Sequence, residues 1–168
     1  KKLGIKGSST RQVFFNDCEV PVENMLSERQ NGFKIAVNIL NIGRWKLGVG
    51  CVGGGKFALS EGAKYAKERR QFKKPIASFG LIRQKLATAA TQIYAAESLC
   101  YRTGGALDER LLALDKDHAY GKEAIDIIEE FTIEASISKV FGSEALTAVA
   151  DEMLQIHGGN GYNEDYHI

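Results

Sequence analysis

Three long stretches repeat apolar residues every three or four positions, and this period constrains the fold more than any other feature. In the first, Phe33, Val37, Leu40, Leu47 and Cys51 carry the pattern, with Arg44 inside the same stripe. It can run through "AKYAKERRQF" and must end before Pro75, which cannot continue a helix and disfavours helical geometry at Lys74. In the second, Ile82, Leu86, Ala89, Ile93, Ala96 and Cys100 make one stripe, with Gly104-Gly105 as the expected stop. Residues 106–117, "ALDERLLALDKD", read as a short charged helical excursion. The third starts near Asp117, carries Ile128, Phe131, Ile137, Phe141, Ala145, Val149, Met153 and Ile156, and stops at Gly158-Gly159. Three amphipathic helices on short links predict a mainly α chain, an antiparallel up-down bundle, with a fourth helix expected beyond Ile168. No fixed-period repeat is present.

The first 22 residues read differently. Val13-Phe14-Phe15, the turn-like Asn16-Asp17 and Val20-Pro21 are hairpin-like strand material. Two short strands are not stable alone, so this part is expected to be a β remnant of a sheet that lies mostly elsewhere. Residue 1 is Lys and residue 168 is Ile after "NEDYH", so a piece of a longer protein is expected.

Composition removes several function classes. Apolar residues make up 44% of the 168, enough for a core. A net charge of +1 without a basic run argues against a nucleic-acid partner held through phosphates. No apolar stretch approaches a membrane span and no signal peptide is evident. Cys18, Cys51 and Cys100 are far apart, and His118, His157 and His167 are scattered, so no metal site is expected. The histidines read as surface residues or as supports behind a site.

Two glycine patterns are decoys. Gly48, Gly50 and Gly53 spell G-x-G-x-x-G, but inside a helical period rather than after a strand. Gly50 to Lys56 spells G-x-x-x-x-G-K, but Phe57 stands where a phosphate loop needs Ser or Thr. Each helical Gly costs about 1 kcal/mol relative to Ala, so residues 48–55 are expected to face a close-packed helix, a cofactor or a neighbouring subunit, with buried packing foremost.

Three places could carry chemistry. Arg69 and Arg70 suit a helix C-terminus and could pair with Glu61 or Glu68; their donor forks also suit an anion, with Phe72 nearby to cover a planar ring. Arg44, on an apolar stripe, needs an acidic neighbour or a ligand. Gly158, Gly159 and Gly161 are either a plain helix stop or a corner where backbone approaches a ligand, and Gln155 offers a donor and an acceptor one turn back.

Six stretches, "VPVENML", "NGFKIAVNILNIGR", "YAKERRQF", "FGLIRQKLA", "ISKVFGSEAL" and "QIHGGNGY", resemble the acyl-CoA dehydrogenases in order and spacing, most of all the very-long-chain branch. The resemblance spans nearly the whole chain except residues 104–127, which are longer than in most members. It implies that residues 1–28 end a middle β domain and that 29–168 form the C-terminal helical bundle, truncated before its last helix. It implies an FAD enzyme of fatty-acid β-oxidation that converts fatty acyl-CoA to trans-2-enoyl-CoA and passes electrons to an electron-transfer flavoprotein. Arg69 and Phe72 match an "ERxxF" motif, and Gln155, His157, Gly158 and Gly159 a "Q-x-x-G-G" segment; both segments lie along the FAD of a neighbouring subunit in a dimer or tetramer. Asn41 and Arg44 match positions near the acyl-CoA, although many relatives have Asp at the position of Asn41.

The catalytic base departs from the family pattern. One branch carries its Glu in an "EGT" motif absent here, and another places it just before the Arg matched by Arg44, where this chain has Gly43. No catalytic residue is therefore expected in this chain, and alone it is expected to be inactive. The alternatives are a non-catalytic helical interaction module and an acyl-CoA oxidase. The expected compartment is a bacterial cytosol, or the mitochondrial matrix for a eukaryotic source.

Overall fold

A computed structural model describes residues 2–114 and 120–168. The chain divides into two compact units, Lys1–Gly32 and Phe33–Ile168.

The first unit holds a single 3-10 turn, Val22–Asn24, directly after Pro21. Asn16-Asp17 forms a bend, with Asp17 in the left-handed region at φ 49°. The hairpin expected here is absent. Among the described residues of this unit, backbone bonds such as Ser8 N to Ile5 O (3.4 Å) and Asn24 N to Pro21 O (3.0 Å) close turns, and no ladder forms. A strand exists only where a neighbour completes its hydrogen bonds, and these residues offer none.

The second unit is built on helix α1 (Gly32–Glu68), a short hairpin of β1 (Arg70–Gln71) and β2 (Lys74–Pro75), helix α2 (Gly80–Leu112), and helices α3 (Tyr120–Glu130) and α4 (Thr132–His157). Gly48, Gly54 and Gly62 of α1 meet Ser138, Leu146 and Met153 in rising order, so α1 and α4 run parallel. Trp45 and Gly55 meet Gly104 and Ile93 in falling order, so α2 runs antiparallel to α1. The up-down architecture is the expected one. Val52, Ala58, Ala66, Ala89, Ile93, Ala96, Val149, Met153 and Ile156 form its core.

The buried face of α1 differs from the expected one. Phe33, Leu40 and Leu47 are exposed, while Asn38, Asn41, Gly48, Cys51, Val52, Gly55, Ala58, Gly62 and Ala66 are buried. Large side chains would hold the helices apart; small ones let backbones touch. A Cβ on Gly48 would sit 2.5 Å from the Ser138 carbonyl oxygen, and one on Gly142 would sit 3.0 Å from Gly48 Cα. Buried packing is therefore the role of Gly48 and Gly55, whereas Gly50 and Gly53 have nothing within 4 Å of an added Cβ. Both decoy patterns lie entirely within α1.

Three helix ends also moved. α1 stops at Glu68, and Arg69 to Phe72 belong to the hairpin instead. β1 and β2 pair antiparallel, Gln71 opposite Lys74, around a two-residue turn in which Phe72 and Lys73 both have positive φ (50° and 67°). That is the turn geometry that suits the twist of a hairpin, here built without the usual Asn-Gly. α2 passes through Gly104-Gly105 because Gly104 is needed inside the helix: a Cβ there would meet the Trp45 ring at 2.6 Å. The excursion of 106–117 is thus the end of α2 as far as Leu112, and its last residues, with the expected start at Asp117, lie outside the described residues. The third helix is broken at Phe131 into α3 and α4. On α4 the expected stripe holds from Ala145 onward, but Ser138 and Gly142 replace Ile137 and Phe141 as buried residues.

Candidate functional site

α1 and α4 both end at one pole of the bundle, and an open groove of about 320 Å³ lies between their ends. Tyr65, Arg69, Gln71, Ile76, Ile156, His157, Gly158, Gly159 and Asn160 line it. The hairpin fixes Arg69: its own N–H donates to Tyr65 O (2.8 Å), and its carbonyl accepts from Ile76 N (2.8 Å), whose side chain is buried in the core. Among the described residues the Arg69 guanidinium makes no hydrogen bond, and neither Glu61 nor Glu68 pairs with it; Arg70 instead donates to Lys73 O at 2.9 Å.

The opposite wall is the C-terminus of α4. Gly158 has φ 57° and ψ −133°, a backbone state that a side chain strains, and nothing lies within 4 Å of where a Cβ would stand. His157 is not a surface residue. It is 6% exposed, its Nδ1 lies 2.8 Å from Met153 O, and its ring stacks on Tyr65 at 4.2 Å between centroids. A carbonyl only accepts, so Nδ1 carries the proton. Asn160 Nδ2 donates to the Tyr65 hydroxyl (2.9 Å), which donates to His157 O (3.4 Å). Tyr166 closes edge-on over Tyr65 at 5.8 Å.

This is an aromatic shelf with one formal charge, Arg69, and no carboxylate among its lining residues. Helix C-termini carry partial negative charge, so Arg69 supplies the positive end of the groove. A ligand with anionic and hydroxyl or amino groups matches both features.

Of the six residues expected to face the cofactor, the groove gathers Arg69, His157, Gly158 and Gly159. Phe72 stands apart at the hairpin tip, 84% exposed, edge-on to Phe79 at 6.1 Å; Gln155 is exposed and outside the lining. Tyr65 and Asn160 were not singled out from the sequence. Tyr65 was legible in principle, since it stands four residues before Arg69, one helical turn back from the end of α1.

Asn41 and Arg44 lie far from this groove, roughly 30–35 Å from Tyr65 along α1 at 1.5 Å per residue. Asn41 is 2% exposed, and both protons of its amide are used. It donates to Asn38 Oδ1 (3.2 Å) and Thr132 Oγ1 (2.8 Å) and accepts from Arg44 NH1 (2.8 Å). Arg44 has no acidic partner among the described residues. No cluster of metal-ligating side chains occurs among the described residues, and no described helix is long and apolar enough to cross a membrane.

Known proteins share this architecture. A probable acyl-CoA dehydrogenase of Bacillus subtilis (strain 168) is 47% identical over 100% of this chain and 28% of its own length. The mitochondrial very long-chain specific acyl-CoA dehydrogenase of Rattus norvegicus is 40% identical over 98% of this chain and 23% of its own. A crystal structure of an acyl-CoA dehydrogenase complexed with FAD from Bacillus anthracis superposes with a TM-score of 0.88 at 51% identity, covering 99% of this chain and 29% of that one. The chain therefore spans less than a third of the length of each of these relatives. The family model for the acyl-CoA dehydrogenase C-terminal domain matches residues 30–168, and the chain belongs to the acyl-CoA dehydrogenase family.

Proposed function

We propose that this chain is the C-terminal bundle of an FAD-dependent fatty acyl-CoA dehydrogenase and that its polar groove forms one wall of the flavin site. The observation that carries this reading is the convergence of Arg69, at the foot of α1, and the Gly158-Gly159 backbone, at the end of α4, on one groove from positions far apart in the sequence. The residues fit the cofactor's chemistry. The Arg69 guanidinium matches phosphate oxygens. Gly158 leaves room for close approach, and Tyr65 with His157 offers a flat, hydrogen-bonding surface. FAD, when bound, supplies the hydride acceptor for α,β-dehydrogenation. Arg69 holds the anionic part, the glycine corner sets the distance of closest approach, and the Tyr65–His157–Asn160 contacts hold that corner rigid.

The groove is open and shallow, so a second copy of the chain completes the site in a dimer or tetramer. Arg44, at the other end of α1, contacts the acyl-CoA. The groove holds no carboxylate and Gly43 stands where one branch of the family carries its base, so the base that removes the α-proton is assigned to another part of the whole protein, and this chain alone is expected to be inactive. Electrons leave to an electron-transfer flavoprotein.

The test uses the full-length protein. Arg69→Glu is expected to lower the flavin-to-protein absorbance ratio at least fivefold, since one charge-assisted phosphate contact contributes about 1.5–3 kcal/mol and its reversal adds repulsion. Full flavin content in Arg69→Glu, at unchanged thermal stability, refutes the assignment of the groove. Bleaching of wild-type flavin by acyl-CoA under anaerobic conditions tests the reaction itself.

A further inference from the structure

The break between α3 and α4 presents a hydroxyl to a buried amide that in turn holds an arginine. Phe131, at φ −90° and ψ 15°, interrupts the helix, and Thr132 follows as the first residue of α4. The Thr132 hydroxyl donates to Glu129 O (2.6 Å), which satisfies a carbonyl at the end of α3 and leaves the hydroxyl lone pairs as acceptors. Asn41 Nδ2 donates into them at 2.8 Å.

The Asn41 amide is thereby oriented. Nδ2 has two protons, one for Asn38 Oδ1 and one for Thr132 Oγ1, so Oδ1 must face the other way, toward Arg44 NH1 at 2.8 Å. Asn38 is pinned by its own bond from Nδ2 to Lys34 O (3.2 Å). Asn41 is itself 2% exposed, so its amide relies on these protein partners. Among the described residues no carboxylate pairs with the guanidinium and the Asn41 oxygen is its one side-chain acceptor, which leaves donors over for a ligand.

We infer that Thr132 is a positioning residue for Arg44, acting through Asn41, so that the α3–α4 break sets the orientation in which Arg44 meets the acyl-CoA. The role rests on the proposed contact between Arg44 and that substrate. Without the Thr132 acceptor the Asn41 amide can rotate, and Arg44 loses a preset geometry rather than its charge.

Steady-state kinetics of the full-length enzyme with butyryl-, octanoyl- and palmitoyl-CoA provide the test. Thr132→Val, which keeps the shape and removes the acceptor, is expected to raise KM about five- to tenfold with kcat within about twofold. Thr132→Ser restores the wild-type KM. Arg44→Gln raises KM further, and adding Thr132→Val to it has no additional effect. Should Thr132→Val fail to fold, Thr132→Ala serves in its place. If Arg44→Gln raises KM while the Thr132 variants do not, or if the two effects add, the positioning role is overturned and the Arg44 contact stands. If Arg44→Gln leaves KM unchanged, the Arg44 contact itself fails.

Discussion

Gly48→Ala and Gly50→Ala make the same chemical change two residues apart in α1 and should move stability in opposite directions. An alanine Cβ at position 48 would lie 2.5 Å from the Ser138 carbonyl oxygen, 2.9 Å from its carbon and 3.3 Å from Cys100 Sγ. The first two are backbone atoms of α4 and cannot turn aside as a side chain could. Ordinary contact needs about 3.4 Å, so α1 and α4 must separate by about 1 Å along their closest approach. Overpacking of this kind costs about 1–3 kcal/mol, and the backbone clash puts position 48 at the upper end. Alanine returns about 1 kcal/mol in helix propensity, for a net loss of about 2 kcal/mol. At Gly50, and equally at Gly53, an added Cβ meets nothing within 4 Å. Only the propensity remains, a gain of about 0.5–1 kcal/mol. The predicted gap between the variants is therefore about 3 kcal/mol, about a hundredfold or more in the folding constant. Urea denaturation followed by far-ultraviolet circular dichroism reads it, and fluorescence of Trp45, the single tryptophan, reports on the same contact region. Gly62→Ala falls between them, because its Cβ would meet the flexible Met153 side chain rather than backbone. Equal stability of Gly48→Ala and Gly50→Ala would refute the close approach of α1 and α4.

Two further outcomes test the hairpin and the core. Replacing Phe72-Lys73 by Asn-Gly puts residues that tolerate positive φ at both turn positions and is expected to stabilise the chain by about 1 kcal/mol, read as a higher denaturation midpoint; a lower midpoint would mean the Phe72 and Phe79 rings matter more than the backbone. Ellman's reagent is expected to find one fast thiol, exposed Cys18, and two more only on unfolding, since Cys51 and Cys100 are buried. Burial, and secondarily the neighbouring Cys51, pushes the Cys100 thiol up. The unfolded chain therefore ionises there first, so stability is full below the ordinary thiol range and declines as pH rises through it; unchanged stability across that range would contradict this.

The sequence by itself determined the up-down helical architecture, the inward stripe of α2 and the end of α4 at Gly158, whereas the pairing of Arg69 with the glycine corner was implied only by the resemblance to the acyl-CoA dehydrogenases. Those features rest on local signals: an apolar period with large side chains, a residue that tolerates positive φ, and motifs whose spacing survives without knowledge of packing. Tertiary structure alone decided which face of α1 turns inward. Hydrophobicity pointed to Phe33, Leu40 and Leu47, and the cost of helical glycine to close packing somewhere in 48–55; the structure turns Gly48, Gly55 and Gly62 inward and leaves Phe33, Leu40, Leu47, Gly50 and Gly53 outside, because helix approach is limited by side-chain volume as well as by water. The same holds at Gly104, which reads locally as a stop and is retained inside α2 to seat Trp45. Asn41 is the sharpest case: Asn38 and Arg44 are its neighbours three residues away on α1, but its third partner, Thr132 on α4, comes within hydrogen-bond reach only in the tertiary structure.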